Sequence, residues 1–228
     1  VVQVHFQDLV LLKLLLQLFS TGFAMALTSF VVEFGTVAFQ RVTNLLGEAM
    51  IAAHSAARRI QLMLLQPVIS FSVASMTYTG QNWGAGKVER IRPGIRLVMV
   101  IELIWCFASV AIVYLFGGAL IRLTTGTESN TVLDNAVLSL RIHFSMFPML
   151  GILFCLRNSM QAIGQKVVPV LSSCIELLMK LFAAYYLIPQ LGFIGVCVTE
   201  PITWVLMVLF LAGSYLLFHR KWFANAPV

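Results

Sequence analysis

The chain has 228 residues, of which 60% are hydrophobic and only 11% charged. Soluble domains run about 45–50% apolar and about 25% charged, so a globule surrounded by water is excluded and an integral membrane protein is expected. The net charge of +6 does not point to nucleic acid, because the basic residues lie between apolar runs rather than in one patch.

A bilayer core about 30 Å thick takes roughly 20 apolar residues as a helix, and six segments meet that length: 11–46, 50–78, 97–120, 132–160, 167–188 and 193–218. The expected fold class is therefore all-α, a single six-helix transmembrane lobe with the lipid bilayer as its surroundings. The connectors "LGEAM", "GQNWGAGKVERIRPG", "TTGTESN", "IGQK" and "PQLGF" are rich in Gly, Pro or polar residues, the composition of chain reversals.

The first segment carries Ser29, Glu33, Thr36, Gln40 and Asn44, which at about 100° per residue form one narrow stripe. In the second, Ser55, Arg59, Gln66, Ser70 and Thr77 fall within roughly 60° of one another by the same arithmetic. Charges inside spans cost roughly 2.5–3.5 kcal/mol each and usually face a bundle interior or a wet cavity. Two antiparallel neighbours with polar stripes thus predict a shared hydrated cavity, with Glu33, Gln40, Asn44, Arg59, Gln66 and Ser70 as its ion- or substrate-binding candidates. Two readings of Glu33 stand open: a structural ion pair with Arg58 or Arg59, or a carboxylate that binds an ion or proton.

The second segment runs into "GQNWGAGK", residues 80–87. A phosphate-binding loop requires G-x-x-x-x-G-K-[ST]; here the residue five after Gly80 is Ala85, and Val88 follows Gly86-Lys87 where Ser or Thr is needed. Gly80, Gly84 and Gly86, with Gln81 and Asn82 between them, are instead expected to end the helix and reverse the chain. Further along, Glu102 in the third segment and Glu200 in the last have no evident partner on their own helices. Glu176 and Lys180 stand at i, i+4 in the fifth segment, the spacing of a structural ion pair. Pro67, Pro148 and Pro201 lie inside spans, where they kink helices.

Lysine and arginine collect on one set of connectors. One side carries Lys13, Lys87, Arg90, Arg92, Arg96, Arg157, Lys166, Arg220 and Lys221, and the other only Arg41 and Arg122 near its ends. This bias predicts that both termini and the Gly86 turn are cytoplasmic. Cys106, Cys155, Cys174 and Cys197 sit inside apolar runs as small hydrophobes. His5, His54, His143 and His219 show no metal-ligand spacing, and no G-x-S-x-G, H-E-x-x-H or paired-Asp constellation marks an enzyme.

With these residues placed, the chain resembles the C-terminal half of a multidrug and toxic compound extrusion (MATE) transporter, from about residue 11 to 218. The stretch "IAAHSAARRIQ…GQNWGAGKVERIRPGIR", residues 51–96, is similar to the family's A…A.RI helix followed by G-Q-N-x-G-A and a basic turn. "LRNSMQAIGQKVVPVLSSCIELLMK", residues 156–180, and "LGFIGVCVTEPITW", residues 191–204, resemble its later signatures. The resemblance implies two six-helix lobes around a central cavity, the N-terminal lobe being absent from this sequence. It also implies export of small-molecule organic cations across the plasma membrane in exchange for H+ or Na+, with no other cofactor, and a role for Glu33 in holding the coupling ion or the cationic substrate. Where the family often has Pro near the start of this lobe, the chain has Thr21-Gly22. Where some members carry a cation-binding aspartate in the fourth helix, it reads "FPMLGILF", residues 147–154, a departure that favours protons over sodium. A chain of this length is expected to be a fragment, a truncated product or half of a two-chain transporter. The alternatives are a flippase for lipid-linked sugars, which would need cationic partners for pyrophosphate, and a membrane scaffold that transports nothing.

Overall fold

The computed structural model describes residues 6–224, with side chains described for residues 11–218. The Arg220 and Lys221 side chains, counted above in the charge bias, lie outside the described residues, as do His5 and the His219 side chain. Eight α-helices follow in chain order: α1 (Phe6–Thr43), α2 (Glu48–Gly84), α3 (Val88–Thr125), α4 (Asn130–Ser145), α5 (Phe147–Ala162), α6 (Val167–Phe182), α7 (Ile188–Leu191) and α8 (Phe193–Ala224). Five stretches are long and apolar enough to cross a membrane, and α4 with α5 makes a sixth, bent by 50° at its break.

Several helices overrun the lengths expected from hydropathy. The second span continues to Gly84, and the third fills Val88–Thr125 rather than 97–120. The extra turns carry Gln81, Asn82, Glu89, Arg90 and Arg92, polar residues that a water-exposed helix end tolerates. Gly80 and Gly84 are accordingly helical, correcting the expectation that they end α2. The reversal falls on Gly86 alone, at φ 67°, after Ala85 N–H has bonded Gln81 O at 3.0 Å and Gly86 N–H has bonded Trp83 O at 3.1 Å. Each of the other reversals likewise takes one glycine at positive φ: Gly47, Gly126, Gly164 and Gly192. An L-residue pays roughly 1–2 kcal/mol to enter that region.

The break between α4 and α5 falls at Met146, with Pro148 in the first turn of α5. Proline has no N–H to continue the ladder, and the gap is closed by packing: Phe144 and Phe147 stack across it at 4.4 Å, both fully buried. A second irregularity, the π-helical turn Ala183–Leu187, joins α6 to α7.

The packing divides into two bodies. Helices α2, α3, α4 and α5 share a core containing Ala57, Ile60, Val68, Cys106, Leu140, Phe144 and Phe147. Helix α1 leans on α6 and the π turn, where Phe39 meets Ala183, Ile188 and Val196; much of its remaining surface is exposed leucine and phenylalanine. Helix α8 bridges the two through Trp204 on one side and Val196 on the other. Among the described residues the four cysteines are unpaired, three of them buried.

Candidate functional site

A cleft opens between the α1–α6 pair and the body formed by α2, α5 and α8. Its polar lining comes from Glu33 and Thr36 on α1, Arg58 and Gln61 on α2, Arg157 on α5, Glu176 and Lys180 on α6, and Glu200 on α8. Its apolar lining includes Val32, Leu65, Leu150, Phe154, Trp204 and Met207. A neighbouring hollow shares Thr36, Arg58, Lys180 and Glu200 and adds Gln40, His54 and Arg59, so the two adjoin at these residues.

The charges in the cleft are mostly spent on one another. Arg58 Nη1 donates to Glu200 Oε1, and Gln61 Nε2 donates to Glu200 Oε2 at 3.1 Å. Lys180 Nζ donates to Glu176 Oε1 and to Thr36 Oγ1, each at 2.8 Å, tying α6 to α1. Arg157 Nη2 stands 3.9 Å from Glu176 Oε2. Of the six charged groups that line the first hollow, five thus sit in pairs that repay some of their desolvation. The sixth is Glu33. Among the described residues it takes part in no ion pair, and only a longer-range attraction links it to Arg58. Its residue is exposed into the opening.

Several sequence-based expectations meet this geometry directly. The i, i+4 pair Glu176–Lys180 forms at 2.8 Å. Glu33 lines the cleft and Gln40 and Arg59 line the neighbouring hollow, while Asn44, outside both linings, accepts a hydrogen bond from Gln40 Nε2 at 2.7 Å. Others are corrected. Arg58, offered as a partner for Glu33, is engaged by Glu200. Gln66 and Ser70 are exposed and line neither hollow; Ser70 Oγ donates back to Gln66 O at 2.9 Å. Arg157, counted among the basic connector residues, is a cleft residue whose side chain is 11% exposed.

The reason lies in which face of α2 points inward. His54, Arg58, Gln61, Leu65, Val68, Ser72, Ser75, Thr79 and Asn82 recur at alternating steps of four and three, and all but the half-buried Arg58 are buried. That row lies about 150° around the helix from the row of Ser55, Arg59, Gln66, Ser70 and Thr77. It mixes apolar with small polar residues, so a search for polar stripes passes it over, whereas the spacing of a packed helix seam reveals it.

A bundle of spans with ionisable side chains turned into a shared cleft defines a helical, multi-pass membrane protein. The MatE family model matches residues 15–186, and the chain belongs to that family. It is 23% identical over 182 residues to the probable multidrug resistance protein NorM of Thermotoga maritima, covering 78% of this chain and 39% of that protein. Its fold is that of a MATE crystallised with MaL6, at TM-score 0.79 and 20% identity over 93% of this chain and 48% of the other. A multidrug resistance MATE transporter in its outward-facing conformation gives TM-score 0.77 at 18% identity, covering 91% and 46%. The chain spans about half or less of the length of these relatives.

Proposed function

We propose that this chain is one lobe of a secondary antiporter that exports amphipathic organic cations in exchange for protons or sodium ions by alternating access, one lobe rocking against a second. The observation that carries the reading is Glu33. It is the one carboxylate of the cleft outside an ion pair among the described residues, and it faces an opening walled by Leu65, Leu150, Phe154 and Trp204. Apolar walls with a few convergent polar groups are what an organic ligand site requires, and an uncompensated carboxylate selects a cation. The same group can hold a proton or a metal cation when substrate is absent, which makes the two ligands mutually exclusive. The absence of an aspartate from the α5 stretch Phe147–Phe154 favours protons as the coupling ion.

The flippase reading requires free cations for a pyrophosphate; Arg58 and Lys180 are held by Glu200 and Glu176, which leaves it only the exposed Arg59 of the neighbouring hollow, in no ion pair among the described residues. A scaffold has no use for an unpaired acid in a cleft. The proposed setting is the plasma membrane with both termini and the Gly86 turn in the cytoplasm, supported by the residues Lys87, Arg90, Arg92 and Arg96 around that turn.

The test is efflux of a fluorescent organic cation from cells making the chain as the organism produces it. Glu33→Gln, which keeps the shape and removes the charge, is expected to lower efflux about tenfold or more, the value of a hydrogen bond or contact to a charged group. Unchanged efflux removes Glu33 from the mechanism. Competition by a lipid-linked oligosaccharide and not by organic cations overturns the substrate class.

A further inference from the structure

The cleft does not account for the least exposed carboxyl of the described residues. Glu102 on α3 is 1% exposed and sits behind α5, whose Leu150, Leu153, Phe154 and Arg157 face the cleft while Gly151 and Cys155 face α3. Ser72 Oγ on α2 donates to Glu102 Oε1 at 2.6 Å. The second oxygen, Oε2, is buried with no hydrogen-bond partner within the protein. The close packing of α5 on α3 here depends on glycine at 151: a Cβ there stands 3.1 Å from Cys106 Sγ and 3.8 Å from Glu102 Cβ. The groups facing Glu102 are thus the Ser72 hydroxyl from α2, the Cys106 thiol one turn along α3, and Cys155 from α5. Among the described residues it has no ion-pair partner.

This contrasts with Glu176 and Glu200, each of which is buried against a cation. An ionised carboxylate without a counter-charge costs several kcal/mol to bury, whereas a neutral acid lacking one hydrogen bond costs about as much as any unpaired hydroxyl. An ionisable residue at this depth in a membrane protein also marks an ion or proton path more often than a structural support. The surroundings fit a protonated carboxyl: Oε1 is the carbonyl that accepts from Ser72, and Oε2 carries the hydrogen. The 50° break at Met146 lies five residues before Gly151, so a change of bend there moves α5 relative to α3 and alters water access to Glu102.

We propose that Glu102 is a second proton-binding carboxyl, separate from the Glu33 cleft, loaded when α5 closes over it and released when α5 swings away at the α4–α5 break. Proton binding at this site stands on its own geometry, whereas its use in coupling rests on the antiport reading given above.

Infrared difference spectroscopy on the purified chain, as the organism produces it, tests the two separately. At neutral pH a protonated carboxyl carbonyl band is expected, present in Glu33→Gln and absent in Glu102→Gln, and lost reversibly as the pH is raised while the protein remains folded. Ser72→Ala, which leaves the carboxyl in place, is expected to shift that band to higher frequency because it removes the hydrogen bond to the carbonyl. The variant guards against a Glu102→Gln protein that fails to fold. A band absent at neutral pH, one unmoved by Ser72→Ala, or one that stays to the alkaline limit of folding overturns the proposal. A titrating Glu102 band beside unchanged efflux in Glu33→Gln leaves the proton site standing and removes Glu33 from the antiport reading. Gradient-driven efflux lost in Glu33→Gln with no Glu102 band does the reverse.

Discussion

Glu200 is the residue that holds Arg58 in the cleft. Its two oxygens receive Arg58 and Gln61 from α2, fastening α8 to α2 across 142 and 139 residues of chain. Its side chain is 11% exposed and that of Arg58 36%, so water screens one partner and not the other. Replacing the carboxylate by an amide leaves Arg58 without its counter-charge and strands one of Gln61's bonds. Glu200→Gln is therefore expected to destabilise the lobe by about 1–3 kcal/mol, the usual cost of leaving a buried polar group unsatisfied, read as a lower midpoint of thermal unfolding in detergent. Glu33→Gln, by contrast, breaks no pair and is expected to unfold within about 0.5 kcal/mol of the parent, as for substitutions away from packed features. The two variants separate a carboxylate that supports the fold from one that faces a ligand. The sequence made Glu176–Lys180 legible because both lie on one helix with fixed spacing. It left Glu200 without a partner because nothing local reports that Arg58 is beside it.

Helix ends were read well where glycine does the work and poorly where hydropathy was the guide. All five reversals contain a glycine at positive φ, and each lies in a connector recognisable from its composition. Apolar run length, however, measures how much of a helix suits hydrocarbon, and α2 and α3 continue past that limit through more polar turns, where backbone hydrogen bonds still favour the helix. Gly86→Val is expected to cost about 1–2 kcal/mol because a β-branched residue must enter the left-handed region. Gly195 tests packing of another kind. A Cβ there would stand 2.8 Å from Leu187 O and 3.0 Å from its carbonyl carbon, and a backbone neighbour cannot rotate aside. Gly195→Ala is expected to lose about 1–3 kcal/mol, as overpacked sites do, by forcing α8 away from the π turn. Thermal unfolding of both variants beside Gly118→Ala, whose site has open space, checks the difference.

At the scale of the molecule, α1 is fixed chiefly through α6, and a wide surface of leucine and phenylalanine on it stays uncovered. Lipid satisfies such a surface; water does not. The proposed orientation predicts which ends meet which solution. A single cysteine at position 87 is expected to react with a membrane-impermeant maleimide only after the cells are opened, and one at position 126 in intact cells. The opposite pattern reverses the topology. Because other cysteines are present, the comparison is made against the parent chain, whose Cys106, Cys155 and Cys197 are buried.

Composition, the spacing of apolar runs and the glycine-bearing connectors determined by themselves that the chain crosses a membrane as a bundle of about six spans, because the cost of bare backbone and charge in hydrocarbon allows few other solutions. The tertiary structure decided which face of α2 turns inward, that Arg58 belongs to Glu200, that Arg157 lines the cleft and that Glu102 is closed off behind α5. These outcomes turn on how helices rotate and lean against neighbours far away in sequence, and a rotation of one residue exchanges a lipid-facing side chain for a buried one.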